Sequence, residues 1–228
     1  MIGCLCIHGF TGAPYEVEPL VTFLKEKTDW DFRVPTLPGH GEVLSLKGIH
    51  YQQWIHHAEE ELKSLIATCD EVYVIGFSMG GMIASFLAAQ YPVDKLILLS
   101  AAAYYFHPRQ LASDLRVMLK DLVNGNLQKN ELFLRYKIKL TETPLAAAIQ
   151  FRKLVAFIKP VLPQVKIPTL IAQGDRDGIV PPKSAEYLFQ TIGSEKKKLT
   201  YIKGSKHHIC HCKDNETLFV EVLEFLSC

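Results

Sequence analysis

Six short apolar runs, separated by stretches of helical spacing, constrain this chain more than any other feature. They are GCLCI (3–7), DFRVPTL (31–37), EVYVIGF (71–77), KLILLS (95–100), PTLIAQG (168–174) and KLTYIKG (198–204). Several are nearly continuous in Val, Ile and Leu, the pattern of parallel strands buried on both faces. Trp54, Ile55, Ala58, Leu62, Leu65 and Ile66 recur at helical spacing, as do Leu218, Phe219, Val222, Leu223 and Leu226. Met79, Met82, Ile83, Phe86 and Leu87 form a third stripe, which Pro92 closes. Strand and helix in alternation predict an α/β fold with a mostly parallel sheet. The 228 residues suffice for one such domain with a sizeable core, or for one domain with an insertion.

The alternation fails once, between Ser100 and Pro168. LASDLRVMLKDL, ELFLRYKIKL and PLAAAIQFRKLVAFI read as helices, separated by NGN and TETP. Three helices exceed what one crossover between parallel strands requires. The expected organisation is therefore a core of residues 1–103 and 165–228 with a helical cap inserted at 104–164.

Composition narrows the function classes. A formal net charge of +1 creates no field for nucleic acid or an anionic membrane surface, and no run approaches the roughly 18 apolar residues of a membrane helix. MIGCLCIHGFTG lacks the basic region of a secretory leader, and its apolar stretch is too short for one. Cys4 and Cys6 lie two apart in a strand, so they face the same way and bridge poorly. The six cysteines are expected to be reduced thiols of a cytoplasmic protein. HHICHC (207–212) packs ligand types together, but zinc sites prefer separated pairs, so no metal is expected. His40 reads as a turn residue, His56 and His57 as solvent-facing, and EKKKL (195–199) as the solvated approach to a strand.

The chemistry concentrates in VIGFSMGG (74–81). Gly76 and Gly80 bracket Ser78 in G-x-S-x-G spacing, after a strand and before a helix. A sharp turn there exposes the hydroxyl at the carboxyl edge of the sheet, and small neighbours keep strand and helix from colliding. A serine hydroxyl needs a base, normally histidine held by a carboxylate. DRDGIVPP (175–182), after the fifth run, holds two aspartates, and SKHHICHC (205–212), after the sixth, holds three histidines. Both loops lie at carboxyl ends of strands, where open α/β sheets bind ligands. HGFTG (8–12) follows the first strand, and its two glycines let the backbone pass close to a substrate. The amides of Phe10 and Met79 are candidate oxyanion donors.

HGFTG, PGHG (38–41), GFSMGG, TETP, the G-x-x-D-x-x-V-P spacing of GDRDGIVP and the S-x-H-x-I of SKHHI occur in that order. In this respect the sequence resembles the small bacterial carboxylesterases and monoacylglycerol lipases of the α/β-hydrolase superfamily, over nearly the whole chain. The resemblance implies Ser78 as nucleophile, Asp177 rather than Asp175 as acid, His207 as base, and Phe10 and Met79 as oxyanion donors. Lys206 stands where the family usually has glycine, and His208 where relatives commonly carry valine. The chain begins directly at the HGF strand, where many members have an antiparallel hairpin, so a minimal sheet of about six strands is expected.

The implied activity is hydrolysis of short- to medium-chain esters or monoacylglycerols through an acyl-enzyme, without a cofactor. The expected partner is a small-molecule ester; no nucleic acid or stable membrane association is expected, and the chain would be a monomer or homodimer. The stripes Leu111, Leu115, Met118, Leu119 and Leu122, and Leu154, Val155, Phe157 and Ile158, would pack on the body or line an acyl tunnel. The same triad serves thioesters, amides or carbon–carbon bonds in other members, and a non-catalytic ligand-binding role is the alternative from another class.

Overall fold

The structure, a computed structural model, describes residues 1–104, 145–213 and 215–227. All six predicted strands form: β1 (Ile2–Ile7), β2 (Asp31–Arg33), β3 (Glu71–Phe77), β4 (Lys95–Leu99), β5 (Thr169–Gly174) and β6 (Lys197–Ile202). They make one sheet in the order β2-β1-β3-β4-β5-β6, and every neighbouring pair is parallel. The near-continuous apolar runs follow from burial of alternate residues on opposite faces. Leu5, Ile7, Val72, Val74, Leu96, Leu98 and Ile171 belong to one core cluster. Their neighbours Cys4, Cys6, Tyr73, Ile75, Ile97, Leu99 and Leu170 belong to the other. Each fully buried Leu or Ile contributes roughly 1.5–3 kcal/mol relative to exposure.

The helices among the described residues are α1 (Glu18–Lys27), α2 (Tyr51–Thr68), α3 (Met79–Gln90), α4 (Leu145–Ile158), α5 (Lys183–Thr191) and α6 (Asn215–Ser227). Residues of α2, α3, α4 and α5 fill the first cluster, and α1 and α6 the second. The Sγ atoms of Cys4 and Cys6 lie 3.8 Å apart on the same face, and both cysteines are free. Among the described residues, no helix is long and apolar enough to cross a membrane.

Two elements differ from the sequence reading. The predicted strand 31–37 stops at Arg33, because Pro35 has no amide to give to a ladder and β2 lies at the sheet edge. The Met79–Leu87 stripe belongs to a helix buried almost all round, since α4 packs across its outer side. The one hydroxyl this buries, Ser85 Oγ, donates to the Gly81 carbonyl at 2.8 Å. Helix α4 is the third of the predicted cap helices, and Phe151, Leu154, Val155 and Ile158 pack into the core. The other two cap helices, the TETP segment and the stripe Leu111–Leu122 lie outside the described residues.

The strand order also places the site. From β1 the chain crosses to β2 on one side and then to β3 on the other. The chain therefore leaves β1 and β3 in opposite directions, which makes their carboxyl ends the switch point where such sheets bind ligands. HGFTG follows β1 and Ser78 follows β3.

Candidate active site

Ser78 occupies a left-handed backbone conformation, with φ of 54° and ψ of −115°, between β3 and α3. A non-glycine residue holds such a conformation only where its surroundings over-determine it. Here the Ser78 amide donates to Leu99 O at 2.9 Å, and its carbonyl accepts from Gly81 and Ala102, each at 3.1 Å. The flanking glycines leave no room for side chains. A Cβ at Gly80 would overlap the carbonyl oxygens of Ile7 and His8, and one at Gly76 would overlap the Gly80 carbonyl. The turn thus brings α3 against the ends of two strands and leaves the Ser78 hydroxyl at the helix amino terminus, which favours negative charge nearby.

The loops after β5 and β6 complete the arrangement. His207 Nε2 lies 3.1 Å from Ser78 Oγ, and His207 Nδ1 lies 2.7 Å from Asp177 Oδ2. All three residues are buried. Asp177 Oδ1 accepts the amides of Ile179 at 2.8 Å and Val180 at 2.9 Å, while Oδ2 also accepts Gln173 Nε2 at 2.9 Å. Four donors therefore set the carboxylate's orientation. Asp175 is excluded from this role: its carboxylate accepts the exposed Gly204 amide at 2.7 Å. Gly174 lets the histidine loop cross the end of β5, because a Cβ there would lie 2.5 Å from Ser205 O. The Phe77 ring backs His207, with centroids 5.0 Å apart.

Gln173 was missed in the sequence reading, although a signal existed. It is the one amide side chain in the fully buried strand TLIAQG, and such a group must have a partner nearby.

The loop after β1 presents its amide through His8. The Leu37 amide donates to His8 Nε2 at 3.0 Å, so the neutral ring carries its proton on Nδ1, which donates to Gly9 O at 2.8 Å. Burial lowers the pKa of His8 and so favours this neutral form. The Gly12 amide also reaches Gly9 O, at 3.3 Å. In a planar trans peptide the carbonyl and the next N–H point in opposite directions. Fixing Gly9 C=O therefore directs the Phe10 amide the other way. Among the described residues, neither the Phe10 nor the Met79 amide has an acceptor, as oxyanion donors require.

The glycines of this loop need a different explanation from the sequence-based one. Their space is taken by protein, not kept for substrate. A Cβ at Gly12 would overlap the Glu16 carboxylate, and one at Gly9 would lie 3.1 Å from Glu16 Oε2 and 3.2 Å from the Phe77 ring.

His40 closes the PGHG turn through its amide, which donates to Leu37 O at 2.9 Å. Its ring packs 5.2 Å from His8 and 5.5 Å from Trp54, and Nδ1 lies 3.1 Å from Pro38 O. Burial, and then the neighbouring His8, push its pKa from 6.5 down to about 4. The fold thus holds neutral imidazole, so stability is whole above pH 6.5 and is lost as pH falls from 6.5 through 4. The loss is about 3 kcal/mol. Urea unfolding at pH 7.5 and 4.5 is expected to show most of it in the parent and a shallower slope in His40→Gln, where buried His8 still contributes in the same direction. An equal slope in both proteins would contradict the assignment.

The other histidines divide as follows. His56 is exposed beside Glu59, and His57 is half-buried. His208 Nε2 lies 3.4 Å from Glu16 Oε1, and His211 Nε2 lies 2.8 Å from Tyr15 O. Cys210 is buried in the second core cluster, its pKa raised by burial. The three histidines of HHICHC thus have different polar partners, Asp177, Glu16 and the Tyr15 carbonyl.

A parallel sheet with serine after the third strand, aspartate after the fifth and histidine after the sixth has the architecture and chain order of the α/β-hydrolases. Within that class, the chain belongs to the family described as serine aminopeptidase, S33, whose model matches residues 4–214. It is 29% identical to a thermostable monoacylglycerol lipase of Bacillus sp. strain H-257, over 99% of this chain and 90% of that protein. A carboxylesterase of Bacillus subtilis strain 168 is 21% identical, over 98% and 91% of the two chains. Among solved structures, it is similar to one from work on the metagenome-derived lipolytic enzymes LipS and LipT, with a TM-score of 0.79 at 23% identity, covering 99% and 93% of the chains.

Proposed function

We propose that this chain is a serine carboxylic ester hydrolase that cleaves short- to medium-chain esters or monoacylglycerols through an acyl-enzyme. The observation that carries the proposal is the continuous relay from Ser78 Oγ to His207 at 3.1 Å and from His207 to Asp177 at 2.7 Å. His207, held by Asp177, takes the Ser78 proton as the oxygen attacks the ester carbonyl. The Phe10 and Met79 amides receive the oxyanion. The histidine then protonates the departing alcohol, and water activated by the same ring releases the acid. Ion pairing with Asp177 stabilises the imidazolium formed at each step. Relatives named monoacylglycerol lipase and carboxylesterase support the ester as the bond attacked.

The test is a panel of p-nitrophenyl esters from acetate to palmitate, beside the ethyl ester, thioester and anilide of one acyl chain. Ester turnover with an optimum at short to medium length is expected. A kcat/KM for the thioester or anilide above that of the matched ethyl ester would contradict the reading.

A further inference from the structure

Glu16 is the one acidic side chain other than Asp177 among the buried residues described. It sits in a single 3-10 turn, Pro14–Glu16, just beyond HGFTG. A buried carboxylate needs specific partners. Glu16 Oε2 accepts the Gly9 amide at 2.8 Å, and Oε1 lies 3.4 Å from Nε2 of the half-exposed His208. Gly12 lacks a side chain where this carboxylate passes, so the loop is shaped around it. Gly9 is therefore held at both ends, its N–H by Glu16 and its C=O by His8 and the Gly12 amide. The same carboxylate reaches His208, the residue after the triad histidine.

We infer that Glu16 is a positioning residue for the oxyanion site: by accepting the Gly9 amide it fixes the His8–Gly9 peptide, the unit adjoining the Gly9–Phe10 peptide that carries the donor, and through His208 it ties that loop to the segment carrying His207. The inference rests on the reading of Phe10 N–H as an oxyanion donor. An amide that stabilises charge only in the transition state acts on kcat rather than on KM. Loss of Glu16 leaves the donor present but loosely aimed, and a misplacement of about 1 Å costs up to roughly 100-fold. Glutamine retains an oxygen for the Gly9 amide. Alanine retains nothing.

The experiment compares parent, Glu16→Ala and Glu16→Gln in ester hydrolysis and in the rate at which a fluorophosphonate labels Ser78. The expected result for Glu16→Ala is a kcat about 10- to 100-fold lower, with KM within about twofold and labelling slowed in parallel. Glu16→Gln is expected to recover most of both rates. Parental rates in the alanine variant, a loss carried by KM alone, or a folded glutamine variant no better than alanine would overturn the inference.

If Glu16→Ala does not fold, the Gly9 amide resonance decides instead. It should be protected from exchange in both the parent and Glu16→Gln, and an unprotected Gly9 amide in the parent overturns the inference. A parent that labels at Ser78 but cleaves no ester removes the ester reading, and the labelling rates then decide on Glu16. A parent that does neither overturns both.

Discussion

Ser78→Ala is expected to lower kcat by about a millionfold, and His207→Ala by a similar amount. Removing either the nucleophile or its base disables one machine, so the double variant should be no slower than either single one. A millionfold loss corresponds to about 8 kcal/mol of transition-state stabilisation. Residual hydrolysis from the Phe10 and Met79 amides and from substrate binding should still exceed the rate in water, by about 10³- to 10⁴-fold. Single-turnover rates with a p-nitrophenyl ester at pH 8 provide the check. Multiplying losses in the double variant would mean that the two residues act independently, contrary to the 3.1 Å contact between them.

The second large effect is expected at Asp177. In Asp177→Asn the side-chain oxygen would take the place of Oδ1, because the Ile179 and Val180 amides both donate there. The amide nitrogen would then face Gln173 Nε2, also a donor, and His207 Nδ1. To accept from it, His207 must place its own proton on Nε2, the atom that has to receive the Ser78 proton. The ring would be held in the wrong tautomer, and kcat should fall about 10⁴-fold with little change in KM. Asp175→Asn serves as the control, since its carboxylate accepts the exposed Gly204 amide. Its activity should stay within about threefold of the parent. The reverse ranking would show that the acid had been misassigned.

The fold was legible where burial imposed a pattern. Strands covered on both faces must be apolar throughout, and a chain that alternates such strands with helices has few ways to fold. The serine was legible because its turn demands Gly76 and Gly80, which the sequence displays. Choosing Asp177 over Asp175 and His207 over His208 needed the family spacing, because each loop offers more than one candidate of the same chemistry.

What stayed hidden depends on contacts distant in sequence or on one missing donor. Glu16 looks like any acidic residue of a turn until the chain folds and its carboxylate fills the space over Gly12. His8 reveals its role only through Leu37, 29 residues away. The end of β2 turns on the absent amide of Pro35, which the apolar run 31–37 conceals.

The most direct test of the central claim is to trap the acyl-enzyme. Parent protein would be mixed with excess p-nitrophenyl butyrate, quenched in acid within milliseconds, and measured by intact mass and then by peptide mapping. The expected result is one butyryl group per chain on Ser78, formed together with a burst of p-nitrophenol. Multiple-turnover hydrolysis with no adduct at any quench time, or with the acyl group on a different residue, would contradict a serine mechanism at this site.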